Sequence, residues 1–106
     1  MLMRSDKREA RRVAYPVEVR CEGVGVVGDS PLNPRISDLS VTGAFVDSRV
    51  TLPLGSTVRL SFRIGEVPID ITGEVVHEMP KFGMGIRFLD VTCTQHLVLE
   101  RLVRGA

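Results

Sequence analysis

The chain has 106 residues, of which 43% are hydrophobic and 25% are charged, and this composition is typical of one globular domain rather than of a disordered segment. The longest stretches free of Asp, Glu, Lys and Arg span nine residues, 50–58 and 91–99, whereas a membrane-spanning helix needs about 20 apolar residues. Length and composition therefore exclude a large multidomain enzyme and predict no membrane insertion and no secretory signal.

The formal net charge of +1 is unevenly distributed. Residues 1–12 carry five basic and two acidic side chains, whereas residues 13–106 carry nine basic and eleven acidic ones. We expect a flexible basic arm (residues 1–12) in front of a mildly acidic domain (residues 13–106). Such an arm suits phosphates, nucleic acid or an anionic surface, unless it is only a solvated chain end.

The first half of the chain alternates apolar and polar residues in three short runs. Tyr15–Cys21, Arg35–Leu39 and Ala44–Asp47 are predicted strands. Glycines and prolines between 23 and 34 predict a long loop, and Ser40–Gly43 predicts a turn.

The second half holds the clearest alternation in the sequence. Val58–Ile64 and Val67–Val75 are predicted to form a hairpin through a tight turn at Gly65. Gly73, inside the second of these strands, predicts a bulge or a sharp bend. A turn at 80–83 then leads into one more predicted strand, Met84–Phe88.

The last segment changes to a helical period. Thr92 and Gln95 have the spacing of a capping box at a helix N-terminus. Five or six antiparallel strands followed by a helix predict a small β-barrel, closed so that no sheet edge stays open. The i, i+4 pairs that would form the buried face of the helix are Val98 with Leu102 and Leu99 with Val103.

Cysteine and histidine are too sparse to suggest metal or covalent chemistry. Cys21 and Cys93 lie 72 positions apart with no CxxC motif, and His77 and His96 are the only histidines. We expect both cysteines to be small buried side chains. The sequence shows no nucleophile with a base in motif context and no phosphate-binding glycine loop, so we expect no enzyme, no metal and no cofactor.

Two short motifs carry a family resemblance. Arg8 and Arg12 fit R-x-x-x-R, and residues 38–43 fit D-x-S-x-x-G after a gap of 25 residues. This pair, followed by the strand pattern above, resembles PilZ domains, the bacterial receptors for cyclic di-GMP, from Lys7 to Val103. The resemblance implies an all-β fold with one C-terminal helix, a six-stranded antiparallel β-barrel of PilZ type.

The resemblance also implies how the ligand would be recognised. A guanidinium matches the O6 and N7 atoms of guanine and also binds phosphate oxygens, so Arg8 and Arg12 are assigned to both kinds of contact. An ionised carboxylate only accepts hydrogen bonds, which suits Asp38 to the N1–H and N2–H₂ edge of guanine, although an Asx-turn residue is the alternative. Lys7 and Arg11 add positive charge beside the motif.

Three further residues have open roles at this stage. Ser40 would donate to a phosphate or ribose oxygen, or make a local turn bond. Gly43 would supply a positive φ, or let the ligand approach the backbone closely. His77, at the end of the apolar face of Val67–Val75, would stack on a guanine as an aromatic does in related domains, or lie partly buried at the barrel rim.

The expected function is that of a cytoplasmic bacterial receptor. Cyclic di-GMP would order the arm over the barrel, and the new surface would signal to a downstream protein. The alternative is a PilZ-like protein adaptor that binds no nucleotide. A nucleic-acid-binding barrel is disfavoured because residues 13–106 are acidic and the chain has only five aromatic residues.

Overall fold

The computed structural model describes residues 11–23 and 34–105. Arg8, Lys7 and most of the predicted arm lie outside these residues. The described chain is mostly antiparallel β-structure with one C-terminal helix, so the predicted fold class is confirmed. Its elements are β1 (Val13–Glu18), β2 (Arg20–Gly23), β3 (Arg35–Leu39), β4 (Gly43–Asp47), β5 (Thr57–Ile64), β6 (Val67–Met79), β7 (Gly83–Asp90) and α1 (Cys93–Gly105).

The described residues form seven strands rather than the predicted six, because the first predicted strand divides at the buried residue Val19. The sheet has the order β1-β3-β4-β7-β6-β5-β2. β1 pairs with β3 at one edge, and β2 pairs with β5 at the other. Since only Val19 connects β1 to β2, the sheet must curl until its two edges approach each other. One bent strand thus closes the barrel.

The predicted central hairpin and its tight turn are confirmed. β5 and β6 pair without interruption from Thr57 opposite Glu74 to Ile64 opposite Val67. Gly65 has a φ of 61°, a left-handed conformation that glycine adopts without steric cost. The inward residues of both strands are buried, and with those of β2, β3, β4 and β7 and Leu99 of α1 they form the core.

The irregularity predicted at Gly73 is confirmed, although the extra residue lies on the neighbouring strand. Thr72 pairs with Asp90 and Gly73 with Phe88, which leaves Leu89 as the bulged residue of β7. A Cβ at Gly73 would approach the Arg87 carbonyl oxygen to 2.9 Å and contact the Ile86 side chain. Glycine is therefore needed here for close packing.

The capping box forms as predicted. The Thr92 N–H donates to Gln95 Oε1 at 3.0 Å, and the Gln95 N–H donates to Thr92 Oγ1 at 3.1 Å. Gln95 Nε2 also donates to the carbonyl oxygen of Asp70 at 2.8 Å, which ties the helix start to β6. Leu99 and Val103 are buried, and Val98 and Leu102 pack partly buried against the core.

The two cysteines differ, and one prediction about them is wrong. Cys21 is buried in β2, and burial, with a smaller contribution from the charge of Glu22, raises the pKa of its thiol to about 11. Cys93 is exposed because it begins α1 on the side of the helix away from the buried Leu99 and Val103. Within residues 11–23 and 34–105, no group of His, Cys, Asp or Glu could hold a metal ion, and no helix is long and apolar enough to span a membrane.

Candidate functional site

The two sequence motifs meet in a direct ion pair. Arg12 lies just before β1, and β1 runs beside β3 with Ala14 opposite Asp38. Arg12 Nε and Nη2 each lie 2.9 Å from Asp38 Oδ1, and both side chains are partly exposed. The second arginine of R-x-x-x-R and the first residue of D-x-S-x-x-G therefore form one charged cluster on the barrel surface.

A β-bulge in β3 turns Asp38 to the outside. Ile36 pairs with Val46 and Asp38 pairs with Phe45, so Ser37 is the extra residue. Ile36 and Leu39 are both fully buried, although they are three residues apart. Without the bulge, strict alternation would place Asp38 on the same inward face as Ile36.

A second bulge places His77 on the outer face of the sheet. Val75 pairs with Ile86 and His77 pairs with Gly85, which makes Val76 the extra residue of β6. The prediction that His77 continues the apolar face of this strand is therefore wrong, because the bulge moves it to the outer face. His77 is exposed rather than partly buried at a rim.

The two bulges place Asp38 and His77 in one cross-strand row. Asp38, Phe45, Gly85 and His77 are successive partners on β3, β4, β7 and β6. With about 4.8 Å between neighbouring strands, Asp38 and His77 lie about 14 Å apart along the outer face. We call these four residues the outer row. Sequence reasoning missed Phe45, because its place in the row depends on a bulge in a neighbouring strand.

Phe45 has a structural contact of its own within this surface. It is half-buried, and the position of a Cβ at Gly83 would be 2.9 Å from its ring atom Cζ. The ring therefore covers Gly83 on the neighbouring strand. Since Gly85 has no side chain, the outer row is shallow between Phe45 and His77.

Ser40 is a turn residue in this structure. Its side chain is fully buried, and its Oγ accepts hydrogen bonds from the N–H groups of Thr42 and Gly43, both at 3.1 Å. The Ser40 N–H donates to the Gly43 carbonyl oxygen at 2.9 Å, which closes the turn. The structure thus places Ser40 behind Asp38 rather than beside it on the surface.

Gly43 is needed for close packing of two strands. Among the described glycines only Gly55 and Gly65 have a positive φ, so the predicted positive φ at Gly43 is wrong. A Cβ at Gly43 would collide with the Ile86 carbonyl oxygen of β7. The close approach that this glycine allows is therefore that of a neighbouring strand, which seats β4 against β7 beside the turn.

Two more arginines flank this surface. Arg11 is exposed and precedes Arg12. Arg87 lies opposite Gly43 on β7 and places its Nη2 2.6 Å from Glu74 Oε1. The predicted contacts Arg8 and Lys7 lie outside the described residues.

A family model described as the PilZ domain matches residues 5–105. The chain belongs to the PilZ domain family. The match includes both motifs, the outer row and the C-terminal helix of this PilZ domain.

Two solved structures share the fold. The PilZ domain of CeSA from a cellulose-synthesizing bacterium superposes with a TM-score of 0.66 at 19% sequence identity, covering 91% of this chain and 97% of that one. The PilZ domain of YcgR from Escherichia coli, solved with c-di-GMP, gives a TM-score of 0.72 at 15% identity, covering 93% of this chain and 90% of that one. A comparison with curated proteins finds none that matches.

Proposed function

We propose that this PilZ domain is a receptor module that binds cyclic di-GMP at the Arg12–Asp38 cluster. The contact of Arg12 with Asp38 is the observation that carries the proposal, because it joins the two motifs at one exposed place. The presence of c-di-GMP in the related YcgR domain supports the choice of ligand.

The pairing of these two groups suits the edges of one guanine. Asp38 is an acceptor for the N1–H and N2–H₂ donors, and Arg12 is a donor for O6 and N7 on the adjoining edge. Both partners are partly exposed, so the ion pair contributes little stability and costs little to open. A bound guanine would replace the Arg12–Asp38 ion pair by hydrogen bonds to each of the two side chains.

The basic arm supplies the charge that the two phosphates need. Arg8, Lys7 and Arg11 belong to or adjoin R-x-x-x-R, and each adds a donor for phosphate oxygens. Ser40 and Gly43 support the site by fixing the turn behind Asp38. His77, about 14 Å away in the outer row, is the candidate contact for a second base.

Signal transmission would follow from ordering of the arm. A ligand held between residues 7–12 and β3 would fix the arm over the barrel and create a new surface for a downstream protein. We infer that the protein performs no catalysis, requires no cofactor, does not bind nucleic acid and acts in the bacterial cytoplasm. The competing function is an adaptor that binds no nucleotide, in which the Arg12–Asp38 pair only fastens β1 to β3.

Calorimetric titration of the full chain with cyclic di-GMP, GTP and a single-stranded DNA oligonucleotide separates these functions. We expect the chain to bind cyclic di-GMP and to bind neither GTP nor the DNA oligonucleotide. Arg12→Ala should lower the affinity at least tenfold, because a bidentate arginine–guanine contact contributes roughly 1–3 kcal/mol. Arg59→Ala removes an exposed arginine on β5 that lies opposite Glu22, ten residues beyond Arg12 along the bent strand, and serves as the matched control with unchanged affinity.

Failure of the wild-type chain to bind cyclic di-GMP would leave the adaptor function. Binding that survives both Arg12→Ala and Asp38→Ala would place the ligand elsewhere.

The stoichiometry depends on the residue that precedes R-x-x-x-R. In PilZ domains a basic residue there favours a stacked ligand pair, and Lys7 occupies this position. We expect two molecules of cyclic di-GMP per chain, with affinity that falls as salt rises because the clustered phosphates are screened. Titration at two salt concentrations measures both quantities. A one-to-one endpoint that Lys7→Leu leaves unchanged would contradict the paired ligand and leave the receptor function intact.

A further inference from the structure

Three exposed apolar residues gather where β4 ends and β6 turns into β7. Phe82 is 71% exposed, the largest value for a bulky apolar side chain among the described residues, and Val50 and Met79 are 54% and 43% exposed. We call these three residues the β6–β7 patch. Clustered apolar exposure of this kind marks interaction sites more often than isolated exposed residues do.

Backbone hydrogen bonds hold the patch together. The Ser48 N–H donates to the Phe82 carbonyl oxygen at 3.0 Å, and the Phe82 N–H donates to the Met79 carbonyl oxygen at 2.9 Å. Ser48 Oγ donates to the Val50 carbonyl oxygen at 2.7 Å and accepts from the Val50 N–H at 3.2 Å. The backbone is thus fixed while the side chains stay in solvent, so docking would require little further ordering.

The turn that presents Phe82 is strained. Lys81 has a φ of 73°, a left-handed conformation that residues with a Cβ rarely adopt. No burial of Phe82 accompanies this strain, since its ring is the most exposed of the patch. A turn with Pro80 as its second residue and a hydrogen bond from the Phe82 N–H to the Met79 carbonyl oxygen accommodates this positive φ at its third residue, so the conformation belongs to the turn that holds Phe82 in solvent.

The charges beside the patch decide what would bind it. Arg49 precedes Val50 and Lys81 precedes Phe82; both are exposed, and neither forms an ion pair within residues 11–23 and 34–105. Two carboxylates precede these cations in the chain, and neither pairs with Arg49 or Lys81. The backbone of Asp47 lies opposite that of Arg35 in the ladder, and Glu78 accepts a hydrogen bond from the Thr51 hydroxyl at 2.7 Å.

We propose that the β6–β7 patch is a docking surface for a partner protein whose contact segment presents an apolar side chain flanked by Asp or Glu. The apolar side chain would pack on Phe82, Met79 and Val50, and the acidic residues would pair with Arg49 and Lys81. Docking here needs no nucleotide, although the patch adjoins the outer row, since Met79 pairs with Gly83 under the Phe45 ring.

Charge disfavours the other occupants. The basic arm carries a net charge of +3 and would be repelled by Arg49 and Lys81. A two-fold dimer through the patch would bring the cations of both copies together.

Selection from a random displayed peptide library on the immobilised full chain tests the proposal. We expect enriched peptides that share an apolar residue flanked by Asp or Glu. A synthetic peptide of that consensus should bind Phe82→Ser at least tenfold more weakly than wild type, and Lys81→Glu should also weaken it. Leu97→Ser is the matched control, because Leu97 is an exposed (56%) apolar residue on α1, outside the patch, and should leave binding unchanged.

We expect wild type, Phe82→Ser and Leu97→Ser to have equal unfolding midpoints, because both side chains are exposed. Equal midpoints would establish that the variants are folded. The proposal is overturned if selection yields no peptides, basic peptides, or peptides that bind Phe82→Ser normally. It is also overturned by Phe82-dependent sedimentation with vesicles of phosphatidylglycerol and phosphatidylcholine, or by a Phe82-dependent dimer in analytical ultracentrifugation.

Discussion

Arg12 and Asp38 are 26 residues apart in the chain and in contact on the surface. Their pairing joins the two motifs at the scale of single residues. One supplies donors, the other an acceptor, and guanine presents both complements on adjoining edges. Ser40 and Gly43 act differently, because one fixes a turn and the other admits a neighbouring strand.

Ser40→Ala tests the turn role. The substitution removes the acceptor for two N–H groups, those of Thr42 and Gly43, in a buried turn. We expect a loss of about 2 kcal/mol in the free energy of unfolding, measured by urea denaturation. Ser37→Ala on the same strand is the control and should change stability by less than about 0.5 kcal/mol, because its only described hydrogen bond is long, 3.5 Å to the Phe45 carbonyl oxygen. Equal losses for the two variants would argue against the turn role.

Cys21 makes stability depend on pH in the alkaline range. Burial raises the pKa of its thiol from 9.0 to about 11. Below pH 9 the thiol is protonated in both folded and unfolded chains; between pH 9 and 11 the unfolded chain releases its proton first, so stability falls as pH rises. We expect wild type to lose about 2 kcal/mol more than Cys21→Ala over this interval in urea denaturation. Parallel losses in the two proteins would exclude this contribution.

At the scale of single elements, β-bulges decide which side chains reach the surface. The extra residues Ser37 and Val76 each shift the alternation of a strand by one position, so Asp38 and His77 leave the inward face. The N-terminus of α1, by contrast, depends on residues that are close in the chain. The side chains of Thr92 and Gln95, three residues apart, cap its first turn.

Thr92→Ala tests the contribution of that cap. The Gln95 N–H would lose its acceptor at the helix N-terminus, which typically costs about 1 kcal/mol. We expect a lower thermal midpoint and weaker helical circular dichroism. Thr94→Ala, at an exposed position two residues further along, is the matched control and should leave the midpoint nearly unchanged. A midpoint for Thr92→Ala that equals the control would show that the cap is unimportant here.

At the scale of the whole molecule, one bent strand closes the sheet. β1 and β2 pair at opposite edges and are connected only by Val19. Arg12, the residue before β1, therefore lies beside β3 and contacts Asp38. The route of the chain thus places the second arginine of R-x-x-x-R against the first residue of D-x-S-x-x-G.

Deletion of residues 1–12 should separate folding from binding. β1 begins at Val13, and every buried core residue in the described part of the chain lies at or after Val13, so the shortened chain should fold. Loss of the partly exposed Arg12–Asp38 pair should lower the thermal midpoint by less than about 5 °C, because such pairs contribute little. Binding of cyclic di-GMP should disappear in calorimetry. A truncated chain that binds normally would move the site away from Arg12.

The sequence alone determined the elements and the chemistry of the motifs. Alternation, turn glycines and the capping box are local signals, so the β5–β6 hairpin, α1 and the family were all predictable. The outer position of His77, the place of Phe45 and the division at Val19 were decided only in the tertiary structure. A bulge or a strand break depends on which strand pairs with which, and such pairings depend on packing between residues far apart in the chain.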